Sequence, residues 1–340
     1  MCYIIPMKVD RKAAVKKLRK LVFTPKKELQ AFRSELEDEF DSVFLPNRVE
    51  CQEKSFGGIS CDVLFPELYA SHKVILYIHG GSFVGGSSKS WRNFCASLAN
   101  AAACRVVVPD FRLAPKHPFP ASIDDLVAVF RVLYSEEEVS AQLEGTSVLG
   151  PSPQHAQIVI AADGSGASLA MALMFKINKK YRSAITNLLL FSPWLDVTSE
   201  HPVIAKRHVS DEVLSGESMH RAADMYTYAS NLNNPLVSPL KAAPEDFEGF
   251  PPVYLQLGEK EILLEQAKEL DVLLDKAGID CTVDVWENMM YMFQMADEFL
   301  PESHLAVEKA ASYISLRQDE SDEERRMREA VLRKNNIKNY

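Results

Sequence analysis

The stretch AADGSGASLA, residues 161–170, joins an apolar run that indicates a buried strand to an apolar run that indicates a helix. A turn of small residues between a strand and a helix is the setting in which many hydrolases hold a nucleophilic serine, usually as G-x-S-x-G. No G-x-S-x-G occurs anywhere in this chain. The stretch therefore predicts the strand–turn–helix geometry and leaves open which residue occupies its centre.

The strand before this turn belongs to a series of short β-rich runs that begins near residue 48, and helical patterns separate most of the later ones. The runs VILYI and IVIAA are apolar throughout, which is typical of strands covered on both faces. Strands that alternate with helices predict an α/β fold with a mostly parallel sheet. The first strands lack an intervening helix, so we expect them to pair antiparallel at one edge. The predicted strands are 48–56, 59–65, 73–79, 104–110, 156–162, 185–191, 252–257 and 281–286.

A glycine-rich segment, LYIHGGSFVGGSS, ends the third of these strands at residues 76–88. Gly80 and Gly81 carry no side chains, so their N–H groups can approach a bound oxygen closely, which is what an oxyanion hole requires. His79 and Ser82 flank them. The segment therefore predicts an oxyanion-binding or ligand-binding loop formed by His79, Gly80, Gly81 and Ser82.

Several motifs together resemble the hormone-sensitive-lipase family of the α/β-hydrolase fold. HGGSF at residues 79–83 resembles the family's HGGG-type motif, and FRLAPKHPFPA at 111–121 resembles its YRLAPE.PFPA motif. Later stretches agree as well, over about residues 45–316: FSPWLD, NPLVSPL and VDVWENM. The resemblance implies a central sheet of about eight strands, a helical cap, and the activity of a carboxylic-ester hydrolase.

The resemblance also implies which residues stand at the catalytic positions. The family's GDSAGGNLA aligns with ADGSGASLA at 162–170, which puts Gly164 at the nucleophile position. Glu261 stands at the position of the family's catalytic acid, so the acid is retained. Tyr291 stands at the position of the family's catalytic histidine. His304 follows in the next predicted helix, so we expect it to face away. We therefore predict a catalytically impaired hydrolase, or pseudoenzyme, with a retained oxyanion-type pocket.

Two other interpretations remain open. In the first, the chain is an active esterase in which Ser165 serves as nucleophile in an elbow shifted by one residue. A histidine of the cap, His201, His208 or His220, would then have to act as the base. In the second, the chain is a non-catalytic protein that binds a partner through its acidic surface or its C-terminal tail.

Composition narrows the classes of partner. The chain has 340 residues and a net charge of −9, which opposes binding to a phosphate backbone and argues against nucleic acid. Its six cysteines are scattered without a C-x-x-C pair, so we expect reduced thiols, a cytoplasmic location, no metal site and no cofactor. The expected ligand is a small ester or carboxylate that would meet His79, Gly80, Gly81, Ser82 and the amide of Ser165.

The chain divides into three predicted regions: N-terminal cap helices at 1–44, a hydrolase domain at 45–316 and a charged helical tail at 317–340. Within the domain, 196–234 is a polar excursion that we expect to add to the cap. Asp10 is predicted to cap a basic helix over 11–23, and Pro25 to begin a second helix over 26–40. A contact between the basic helix and a membrane surface is the less favoured alternative to a solvated face. The tail is a candidate for self-association or for a protein partner.

Overall fold

The computed structural model describes residues 9–41, 45, 48–69, 71–143, 146–147, 150–151, 154–198 and 211–316. The predicted tail at 317–340 lies outside these residues. So do His201 and His208, two of the candidate bases.

An eight-stranded sheet lies at the centre of the described chain, in the order β1-β2-β4-β3-β7-β8-β9-β10. A separate two-stranded ladder consists of β5 and β6. The strands are Val49–Phe56 (β1), Ile59–Pro66 (β2), Val74–Ile78 (β3), Arg105–Pro109 (β4), Thr146–Ser147 (β5), Gly150–Pro151 (β6), Ile158–Asp163 (β7), Ile185–Phe191 (β8), Val253–Gly258 (β9) and Cys281–Trp286 (β10).

The pairing confirms the predicted α/β fold. β1, β2 and β4 pair antiparallel at one edge, and every other neighbouring pair in the sheet is parallel. All eight strands predicted from the sequence are present, with bounds within two residues of the observed ones. β3, β7 and β8 are buried at nearly every position because helices cover both faces of the sheet.

Helices connect the strands and cover the sheet. α3 packs against α9, and α4 packs against α5. The helices are Arg11–Leu18 (α1), Leu29–Phe40 (α2), Ser88–Ala102 (α3), Ala121–Leu143 (α4), Gly164–Lys176 (α5), Lys179–Arg182 (α6), Gly216–Tyr226 (α7), Leu264–Lys276 (α8) and Pro301–Leu316 (α9).

The N-terminal helices differ in extent from the sequence prediction. Asp10 does cap α1, since its carboxylate accepts from the Ala13 amide at 3.0 Å, but the helix ends at Leu18 and continues as one 3₁₀ turn to Leu21. The second helix was predicted from residue 26 and begins at Leu29. The reason is a turn: the Lys27 amide donates to the Thr24 carbonyl, so the chain becomes helical only after it.

α2, α7 and the segment between α1 and α2 lie over the loop that follows β3. The Phe23 amide donates to Ser82 Oγ at 3.3 Å, and the Arg33 guanidinium donates to the carbonyl of Val84 at 2.7 Å. The Arg221 side chain on α7 donates to the Thr24 carbonyl at 3.0 Å. These bonds connect the N-terminal segment, α7 and the glycine-rich loop at the carboxyl end of the sheet.

Candidate active site

The loop after β3, residues 79–86, is a tight turn that depends on glycine. Gly81 has a φ of +91°, and a Cβ there would lie 2.2 Å from the Gly85 carbonyl oxygen, so no side chain fits. The next two residues, Ser82 and Phe83, also have positive φ values, of 59° and 63°. This curled backbone is the arrangement that turns successive N–H groups toward one point. We call residues 79–86 the oxyanion loop.

The turn between β7 and α5 is an elbow centred on Gly164. β7 ends at Asp163, and α5 begins at Gly164 with a φ of +48°, in the left-handed region. Gly166 lies so close to β3 that a Cβ there would be 2.2 Å from the Ile78 carbonyl oxygen. The residue with the positive φ at the centre of the elbow is thus Gly164. Ser165 lies one residue farther along, inside α5.

Two hydrogen bonds join the oxyanion loop to the elbow. The Gly80 amide donates to Asp163 Oδ1 at 3.0 Å, and the Phe83 amide donates to Ser165 Oγ at 3.0 Å. The side chain of Ser165 is buried. The structure thus brings Gly80, Gly81, Ser82 and Ser165 together around Gly164. The backbone amides of Gly81 and Ser82 have no hydrogen-bond acceptor among the residues that the structure describes.

His79 begins the oxyanion loop but lies behind it, buried between aromatic rings. Its imidazole stacks on Phe111 at 4.3 Å between ring centroids, and Trp91 lies against it at 5.0 Å. Burial lowers the pKa of His79 to about 4. The ring is therefore neutral near pH 7, and its role in this arrangement is to support the loop.

Tyr291 extends from the loop after β10 to the elbow. Its hydroxyl oxygen lies 2.2 Å from the point where a Cβ on Gly164 would stand. The phenol thus occupies the space that a side chain at position 164 would need. Burial raises the pKa of Tyr291 well above its usual value, and the carboxylates of Asp163 and Glu261 raise it further. The hydroxyl is therefore neutral, which makes it both a poor nucleophile and a poor base.

Glu261 follows β9 and is buried at the same end of the sheet. Its Oε1 accepts from the Ser192 hydroxyl at 2.8 Å and from the Gly258 amide at 2.5 Å. Its Oε2 has no hydrogen-bond partner among the described residues. Burial raises the pKa of Glu261 well above its usual value, and the nearby carboxylate of Asp211 adds to this shift.

Ser192 is a site residue that sequence reasoning missed. Its hydroxyl donates to Glu261 Oε1 and accepts from the Met292 amide at 3.1 Å, next to Tyr291. It therefore ties the acid to the loop that carries Tyr291. The residue lies in the FSPWLD stretch used above to identify the family, but that motif gave no sign of this bridge.

Asp163 is a second residue whose role the sequence did not indicate. Its Oδ1 accepts from the Tyr77 hydroxyl at 2.9 Å and from the Gly80 amide, while its Oδ2 has no partner among the described residues. Burial raises the pKa of Asp163 to about 7, against the opposing effect of these two hydrogen bonds.

This pKa makes the stability of the fold depend on pH. A carboxyl with a pKa of about 3.9 in the unfolded chain and about 7 in the folded one binds a proton on folding, so stability falls as pH rises between the two values. Asp163→Asn keeps an acceptor for Tyr77 and Gly80 without the charge. The two pKa values differ by about 3 units, which corresponds to about 4 kcal/mol at pH 8. The new amide NH₂ group takes the place of Oδ2, which has no partner among the described residues, and its burial offsets about 1–3 kcal/mol of this gain. We therefore expect the free energy of unfolding of the variant at pH 8 to exceed that of the parent by about 2 kcal/mol.

Urea unfolding at intervals from pH 4 to pH 8 measures this difference. Glu261 titrates in both proteins, so the difference between the two curves isolates Asp163. Curves that run parallel across the whole range would contradict the assignment.

Aromatic side chains cover the site. The ring of Phe83 stacks on Tyr226 of α7 with 4.0 Å between centroids, and Trp194 packs against the same phenylalanine at 5.1 Å. All three side chains are buried, as is Tyr291. Gly164 is thus enclosed by α7 and by the segment after β8, whose Trp194 amide donates to the Gly164 carbonyl.

The described histidines of the cap and of α9 point to solvent. His220 is exposed on α7, and one of its ring nitrogens lies 3.2 Å from the Gly216 carbonyl of its own helix. His304, expected to face away, is 69% exposed and pairs with Glu308 one turn along α9.

Within the described chain, no group of three His, Cys, Asp or Glu side chains is placed to hold a metal ion. No described helix has the length and apolar character needed to cross a membrane.

Comparison with known proteins identifies the family. A family model for the α/β-hydrolase fold matches residues 75–295. The chain is 31% identical to an esterase of Acinetobacter venetianus over 72% of its own length and 75% of that protein. It is 29% identical to an acetyl-hydrolase of Streptomyces hygroscopicus over 71% and 75% of the two chains.

Among solved structures, an esterase of the bacterial hormone-sensitive-lipase family superposes with a TM-score of 0.76 at 28% identity, over 89% of this chain and 96% of that one. The sequence match, the sheet order and the elbow beside the oxyanion loop all support the same family. The chain belongs to the hormone-sensitive-lipase family of the α/β-hydrolase fold.

Proposed function

We propose that this chain is a non-catalytic member of its family. The observation that carries the proposal is the Tyr291 hydroxyl, which occupies the space of the nucleophile's side chain beside a glycine that has none. The relatives named esterase and acetyl-hydrolase favour carboxylic-ester chemistry for the ancestral site. In a serine hydrolase a histidine takes the serine proton and returns it to the leaving group. Here both positions are substituted and only the acid, Glu261, is retained.

The alternative nucleophile, Ser165, is in a poor position to act. Its Oγ accepts the Phe83 N–H, and the residue lies within α5 rather than at the positive-φ position of the elbow. His79 is buried behind the oxyanion loop, and His220 and His304 are exposed. None of these described imidazoles faces the Ser165 hydroxyl as a hydrogen-bond partner, so the geometry supports the non-catalytic proposal over a shifted elbow.

A small carboxylate or ester is the ligand class that the remaining groups favour. The amides of Gly81 and Ser82 belong to the curled backbone of the oxyanion loop, and they have no hydrogen-bond acceptor among the described residues. An anionic or carbonyl oxygen satisfies such donors. The loop is covered by Tyr226 and by the segment around Phe23, so entry of a ligand requires these contacts to open.

Ester turnover tests the proposal. We expect p-nitrophenyl acetate and butyrate to be hydrolysed no faster with this protein than with the Ser165→Ala variant, because Ser165 is not activated. Alanine leaves the buried Phe83 amide without its acceptor, which costs about 1–3 kcal/mol, so both proteins are assayed well below their melting temperatures. Robust turnover that Ser165→Ala abolishes would show an active, shifted elbow.

A further inference from the structure

A concave surface on the outer side of the N-terminal helices is rich in basic residues. We call it the basic groove. Its volume is about 770 Å³, within the range of small-molecule sites. The groove is lined by Arg11, Lys12, Lys16, Arg19, Lys20 and Lys27, together with Val15, Thr24 and Glu212.

Carboxylates neutralise only part of this charge. Glu212 pairs with Arg11, and Glu35 pairs with both Lys20 and Lys27. Hydrogen bonds from Lys20 and then Lys27 lower the pKa of Glu35 to about 2, so this carboxylate is charged and neutralises part of the charge of both lysines.

The other three basic residues of the groove lack a carboxylate partner among the described residues. These are Lys12, Lys16 and Arg19. Arg19 is nevertheless held in place, because its Nε donates to the Glu212 carbonyl at 2.8 Å. In a chain whose net charge is −9, this concentration of unpaired positive charge is local to the groove.

A bilayer is a poor match for this surface, because α1 has no free apolar face. Its apolar residues Ala14, Val15 and Leu18 are buried in the protein core. A helix that lies on a membrane inserts its apolar face between the lipids. The charged side chains also surround a concavity, which suits a discrete anion better than a flat surface.

We propose that the basic groove binds a soluble anion that carries several phosphate groups. Lys12, Lys16 and Arg19 are spaced by four and three residues, so they lie along one side of α1 and its 3₁₀ extension. Lysine ammonium groups and the forked guanidinium of arginine are the side chains that bind phosphate oxygens best. The site lies on the outer surface of the cap and is separate from the oxyanion loop.

Calorimetric titration of the full chain with tripolyphosphate tests this proposal. We expect saturable binding that weakens as the salt concentration is raised, because exposed charges are screened. The variant Lys12→Glu/Lys16→Glu should bind at least tenfold more weakly. The control Lys89→Glu/Lys276→Glu makes the same change in net charge at exposed lysines of α3 and α8, and it should bind within twofold of the parent.

Three results would overturn the proposal: no saturable binding, an equal loss in the groove variant and the control, or retention on phosphatidylserine vesicles without binding of tripolyphosphate. If the charge-reversal variant does not fold, Lys12→Gln/Lys16→Gln replaces it, with an expected loss of at least threefold. A neutral variant that binds as the parent does would equally count against the groove.

Discussion

Replacing Gly164 with alanine is expected to destabilise the fold by about 3–5 kcal/mol. The new Cβ would stand 2.2 Å from the hydroxyl oxygen of Tyr291, whose ring is buried and cannot swing into solvent. The left-handed backbone at position 164 adds a cost of about 1–2 kcal/mol for any residue with a Cβ. Equilibrium unfolding in urea measures the sum of the two effects.

Two companion variants separate the clash from the backbone strain. Gly278 has a φ of +72° with no atom within 4 Å of its Cβ position, so Gly278→Ala reports strain alone. In Tyr291→Phe the nearest ring atom would be the carbon now 3.4 Å away, which is a tolerable contact. We expect Gly164→Ala to cost about 2–3 kcal/mol less in the Tyr291→Phe background. If Gly164→Ala costs no more than Gly278→Ala, the tyrosine hydroxyl does not occupy the space of a side chain at position 164.

The double variant Gly164→Ser/Tyr291→His is expected to gain ester hydrolysis by about 10³-fold over the parent. Removing the tyrosine makes room for the serine, and the histidine takes up a position next to Glu261. The acid is already held by Ser192 and Gly258, and the amides of Gly81 and Ser82 are free to receive the oxyanion. Initial rates with p-nitrophenyl acetate measure the gain.

Matched controls attribute this gain to the restored triad. Gly164→Ser/Tyr291→Phe has the serine without a base and should stay near the parent's rate, because an unactivated hydroxyl is a weak nucleophile. Tyr291→His alone has a base with nothing to activate. A double variant that folds yet hydrolyses no faster than these two would mean that the oxyanion loop no longer fits the reaction.

The sheet could be predicted from the sequence because its signal is local. Each central strand is a short run of apolar or β-branched residues, such as VILYI in β3, and burial on both faces selects for that composition. The local pattern also predicted the turn between β7 and α5, whereas the position of Gly164 in it was predicted from the resemblance to the family's GDSAGGNLA motif. Local sequence failed where a turn competes with a helix, and α2 begins at Leu29 because the chain first turns between Thr24 and Lys27.

The filling of the site by Tyr291 could not be predicted, because it depends on the path of a loop. Alignment placed a tyrosine at the histidine position but said nothing of where its hydroxyl would end. Two features of Met292 set this path. Its amide donates to Ser192 Oγ in the segment after β8, and its backbone has a positive φ of 53°. Such long-range bonds leave no periodic pattern in the sequence.

The basic groove also could not be predicted from the sequence, because it depends on contacts between segments that are distant along the chain. The sequence indicated a basic first helix with a solvated face. The concavity arises only because residues of α1, the Thr24–Lys27 turn and Glu212 near α7 meet in space.

Fluorophosphonate labelling followed by intact-protein mass spectrometry tests the central claim most directly, because the reagent bonds only to an activated nucleophile. We expect the native chain to show no mass shift, and Gly164→Ser/Tyr291→His to gain one label that maps to position 164. Stoichiometric labelling of the native chain, at Ser165 or at any other serine, would contradict the claim that this protein is non-catalytic.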